Sequence, residues 1–100
     1  MSETLEELVE DAQHAGYGFD MLTPKERFVL FRRTKYMILD EIHKGNSDAD
    51  SITEIVTTRL KADPAVGSLV AIIAIAVLSG FIQWLIKRIL DRWFTEVDDA

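Results

Sequence analysis

The sequence has no cysteine among its 100 residues. A disulfide framework, a thiolate nucleophile and a cysteine-based zinc site are therefore excluded. Histidine is scarce: His14 and His43 leave little scope for a metal cluster. Glu10 and His14 are four residues apart, but two ligands do not make a site. No serine lies in a Gly-x-Ser-x-Gly context. Gly16-Tyr17-Gly18 lacks the further glycine and the preceding strand of a dinucleotide fingerprint. The chain is also too short for most enzyme folds. These absences argue against an enzyme, a cofactor or a metal. Sustained period-2 alternation is missing too, so strands are not expected.

Charge is present but unevenly distributed. The formal net charge is -6. Residues 1–22 carry six acids and no base. Glu3, Glu6, Glu7, Glu10 and Asp11 occupy the place where a secretory signal peptide would be basic and then apolar. Residues 23–44 carry six bases and three acids. This split suggests that the acidic and basic segments pair, within a chain or between chains. Lys25, Arg27, Arg32, Arg33 and Lys35 form a basic patch beside Tyr36. Glu26, Asp40 and Glu41 interrupt it in an acidic protein, so nucleic acid is not an expected partner.

Helix punctuation is clear. Thr4 with Glu7 is a capping-box pattern ahead of Leu5, Leu8, Val9 and Ala12 on one stripe. Thr23-Pro24-Lys25-Glu26 repeats the signal with proline at the first helical position. Gly45 is a stop for that second helix, and Ser51 with Glu54 opens a third. The spacing predicts helices over about 4–15, 24–44 and 52–62. Phe28, Phe31, Ile38, Leu39 and Ile42 supply the core stripe of the second.

The feature that dominates the chain is residues 65–86, AVGSLVAIIAIAVLSGFIQWLI, 22 positions without one charge. As a helix they extend about 33 Å, close to the hydrocarbon thickness of a bilayer. Trp84, Lys87, Arg88, Arg92 and Trp93 gather at one end, as membrane-interface anchors do. A helix apolar all round must be covered on every side. The other 78 residues can hardly do that in a monomer; a soluble bundle of several copies is the alternative. Small residues fall on two faces of this helix. Ala76, Ser79, Gly80 and Gln83 lie on one, and Gly67, Ala71 and Ala74 nearly opposite. Both faces are candidate helix–helix interfaces, because small residues let backbones approach and Gln83 can hydrogen-bond across helices.

The expected architecture is all-α: a helical head over 1–62, one long transmembrane helix over 63–86, and an amphipathic continuation with an acidic tail over 87–100. The expected location is a membrane, single-pass with the N-terminus cytoplasmic, or the interior of a virus particle. The expected partners are a lipid bilayer and further copies of the chain, or a larger membrane or virion assembly. The expected role is structural: self-association or anchoring of a larger complex. A holin-like protein that oligomerises to permeabilise a membrane is the alternative.

Overall fold

Helix α1 (Leu5–His14) begins where the Thr4 side chain accepts a hydrogen bond from the Glu7 N–H at 3.1 Å. The computed structural model describes residues 4–99, with side chains described as far as Asp91. Gly16, at φ 96°, closes α1 in a left-handed turn. The Tyr17 N–H then reaches the Ala12 carbonyl and the Gly16 N–H the Gln13 carbonyl, so the last turn keeps its partners. Helix α2 (Pro24–His43) has the full reciprocal box: Thr23 accepts from the Glu26 N–H, and Glu26 accepts from the Thr23 N–H at 2.8 Å. Gly45, at φ 94°, ends it with the same pair of bonds, from Gly45 to Ile42 and from Asn46 to Glu41.

Helix α3 (Ala49–Ala62) starts earlier than Ser51. Asp48 is the cap, accepting from the Asp50 N–H at 3.1 Å, while Ser51 accepts from the Asn46 side chain instead. The short α4 (Gly67–Val70) and the long α5 (Ile75–Asp99) follow. The described residues are all-α, without a strand.

The single helix expected over 63–86 does not form. Residues 71–74 interrupt it, and among the described residues no helix is long and apolar enough to cross a membrane. The apolar part of α5, from Ile75 to Ile86, extends only about 18 Å. The reason for the break lies in the phase of the buried side chains. Val66, Val70 and Ile73 face the core at helical spacing. A continuous helix would next bury residue 77. Instead Val77 is 41% exposed, and Leu78, Phe81, Ile82, Leu85, Ile86 and Ile89 are buried. The turn absorbs this slip of one residue. There the Ile72 and Ile73 N–H groups fall back on Leu69 and Val70, three residues behind, and α5 restarts with Leu78 bonded to Ala74. The break forgoes a few backbone hydrogen bonds, each worth a net of about 0.5–1.5 kcal/mol. Seating six large side chains in the core contributes about 1.5–3 kcal/mol each, so packing wins.

Packing is layered around α3 and α5. Helix α3 lies against α2, α4 and α5, α2 also touches α5, and α1 covers α2. At the centre the Phe31 and Phe81 rings are 4.7 Å apart between centroids, with Phe19 edge-on to both. Phe19 is held at φ 49°, a left-handed conformation costly for a bulky residue, of order 1–3 kcal/mol. Its buried ring, packed edge-on against two others, holds it there. Thus α2, α3 and the turn carrying Tyr17 and Phe19 cover the inner face of α5, the task for which the chain looked too short. They need cover only that face, because the other carries Ala76, Gln83 and Lys87.

Candidate docking surfaces

Three ion pairs fix the helices that carry the exposed surfaces. Arg88 on α5 pairs with Asp11 on α1 and stacks over the Trp84 ring, 5.4 Å from its centroid. Arg59 on α3 donates to Asp40 on α2 at 3.0 Å, where Lys44 also binds at 3.1 Å. The Lys44 and then the Arg59 hydrogen bonds hold the Asp40 carboxyl below its ordinary value, and Asp40 raises Lys44 in return. Arg33 on α2 donates to Asp63, at the start of the α3–α4 connection, at 3.0 Å. Burial pushes the Asp63 carboxyl up, but the Arg33 guanidinium and the Ala65 N–H outweigh it and hold the group lowered. The basic stretch of α2 and the acidic α1 therefore send Arg33 and Asp11 to other elements.

The first surface is apolar. Within residues 71–77 only Ile73 is buried; Ala71, Ile72, Ala74, Ile75, Ala76 and Val77 are exposed. Ile72 is 60% and Ile75 53% exposed. Single exposed apolar residues are ordinary; a contiguous group of this kind is a candidate contact surface. It continues down the outer face of α5 through the half-buried Ser79 and the exposed Gln83. No charge lies on it until Lys87.

The structure distributes the candidate interface residues as follows. Ala71, Ala74, Ala76, Ser79 and Gln83 lie on or beside this surface. Gly67 and Gly80 serve close approaches within the chain. A Cβ on Gly67 would meet the Lys61 carbonyl oxygen at 2.8 Å, and one on Gly80 the Tyr17 hydroxyl at 2.9 Å. Of the interface anchors, Trp84 is half-buried against Tyr17, Lys87 is exposed, and Arg88 is held by Asp11. The side chains of Arg92 and Trp93 lie outside the described residues. Sequence reasoning passed over Ile72, Ile75 and Val77 as surface residues. Nothing within a uniformly apolar run distinguishes an outward isoleucine from an inward one.

The second surface is a shallow groove of about 350 Å³, lined by Val29, Arg32, Arg33 and Tyr36 of α2 and by Ala65. Among the described residues no group of three or more His, Asp or Glu side chains is placed to hold a metal ion. Comparison with protein-family models, with curated proteins and with solved structures finds no match to this chain.

Proposed function

We propose that the protein is a small helical assembly module that self-associates through the apolar surface of residues 71–77 and the outer face of α5. The observation that carries this reading is the exposure of Ile72, Ile75 and Val77 beside three exposed alanines. The occupant is a second copy for reasons of charge and shape. A chain of net charge -6 repels itself unless the touching patch is neutral, and this one is. A two-fold interface must be self-complementary. Alanines are flat against alanines, and the Gln83 amide both donates and accepts. A stable dimer buries about 800 Å² on each partner, more than six small and medium side chains supply. The contact therefore includes the Ser79 and Gln83 turns of α5.

This role needs no bilayer and uses the 65–86 segment as folded. The holin-like alternative needs a spanning helix, and among the described residues none is long and apolar enough.

The test is the mass of the purified full-length chain by sedimentation equilibrium. The wild type should be dimeric or larger, and the double variant Ile72→Asp, Ile75→Asp monomeric with unchanged helical circular dichroism. A wild type that stays monomeric at all concentrations, or an association untouched by the double variant, overturns the reading.

A further inference from the structure

The groove on α2 has a different character from the apolar surface and stands independently of it. Val29, Arg32, Arg33 and Tyr36 are spaced so that they share one side of α2 over two turns. Tyr36 is 65% exposed, a large ring that the core does not use. Arg33 is not a loose surface cation. Its Nη2 bonds both Asp63 carboxylate oxygens, at 3.0 and 2.9 Å, and the Asp63 side chain is only 8% exposed. Holding one corner of a planar guanidinium fixes the direction of its other donors. Arg32 beside it is exposed. The backbone N–H groups of mid-α2 are engaged within the helix, so the groove offers no amide cradle for a compact phosphate. Recognition rests on two guanidinium groups above an apolar floor of Val29 and Ala65 and a flat ring. That chemistry suits carboxylates spaced along a peptide with an aliphatic side chain between them.

The chain itself contains such a segment. Residues 95–100, Thr-Glu-Val-Asp-Asp-Ala, place Glu96, Asp98 and Asp99 around Val97 with no base. We propose that this groove binds the acidic 95–100 segment of a second copy. Helix α5 continues to Asp99 and takes Glu96 about 22 Å along its axis from Phe81, the ring packed on Phe31. A tail seated in a neighbour's groove is a head-to-tail contact, which extends into chains or rings rather than closing as a pair.

The experiment uses the full-length chain carrying Ile72→Asp and Ile75→Asp, so that the apolar contact does not contribute. A fluorescent synthetic peptide of residues 95–100 is titrated in and followed by anisotropy. The peptide should bind, and raising salt from about 20 mM to about 200 mM should weaken it, because the contact is between exposed charges. Arg32→Glu, at an exposed position that leaves the Arg33–Asp63 pair intact, should weaken binding by about fivefold or more. A peptide with lysine at its three acidic positions should bind the Arg32→Glu, Arg33→Glu variant better than it binds the parent. Binding unaltered by Arg32→Glu, or failure of the charge swap in a variant that keeps its helical circular dichroism, overturns the proposal. Full displacement of the peptide by millimolar inorganic phosphate at constant ionic strength also overturns it, since the groove is then a general oxyanion site. None of these results depends on whether residues 71–77 form an interface.

Discussion

Helices α2 and α5 each give one phenylalanine to the central ring stack, yet their outer faces have nothing in common. Helix α2 turns Lys25, Arg32, Arg33 and Tyr36 to solvent. The first turns of α5, with the turn before them, expose alanines, isoleucines and a glutamine instead. The inner faces obey one rule, burial of large apolar side chains at helical spacing. The outer faces are not bound by that rule. A segment without charge is therefore not by itself a segment for lipid. It can be half core and half exposed surface, and the exposure of Ile72 beside the burial of Ile73 separates the two within one run.

The largest effect should come from removing the feature the two helices share. Phe81→Ala empties the space between Phe31 and Phe19 and should destabilise the fold by about 3–5 kcal/mol, read as a lower midpoint in chemical denaturation. The next effects separate the close approaches from the contact surface. Gly67→Ala drives a Cβ into a backbone oxygen that cannot swing aside, and should cost about 1–3 kcal/mol. Ala76→Leu, at an exposed position on α5, should leave the unfolding midpoint of the monomeric double variant within about 0.5 kcal/mol of its parent. A large cost there would mean that the outer face is covered within the chain.

A pH effect belongs to the α2 side of the comparison. The Asp63 carboxyl is lowered below its ordinary value of 3.8 by its partners, so the folded state favours the ionised form. That contribution is fully present above the unfolded value and is lost as pH falls through the folded one. Acid unfolding of the wild type should therefore steepen below about pH 4. Arg33→Gln should flatten that limb, measured by circular dichroism, while substitutions on the outer face of α5 leave it alone. Thr23→Ala should cost about 1 kcal/mol, because it removes one cap from a helix otherwise held by its packing.

The starts of α1 and α2 were legible because Thr4 and Thr23 carry local hydrogen-bond instructions that tertiary structure did not override. The α3 start was misread from Ser51, since Asp48 lies upstream with an equally good capping side chain. The interrupted apolar run was not legible. A break shows in a sequence as a glycine, a proline or a shift in polar phase, and residues 71–74 are Ala-Ile-Ile-Ala with no polar neighbour to mark the phase. The slip between Ile73 and Leu78 is set by the surfaces of α2 and α3, which no local pattern reports. Small residues were recognised as signs of close approach. For Gly80 the approaching group in the structure is Tyr17 of the same chain, about 60 residues earlier, a contact that spacing within the run cannot reveal.

The most direct test compares Ile75→Asp with Leu78→Asp, three residues apart in the same charge-free run. Ile75 is exposed and Leu78 fully buried. Unfolding and sedimentation should be measured on both. Ile75→Asp should unfold within about 0.5 kcal/mol of the monomeric reference and should weaken self-association. Leu78→Asp should lose several kcal/mol or fail to fold, because an unpaired carboxylate in the core is costly. Equal effects of the two substitutions on stability would contradict an inner core face and an outer contact face in residues 65–86.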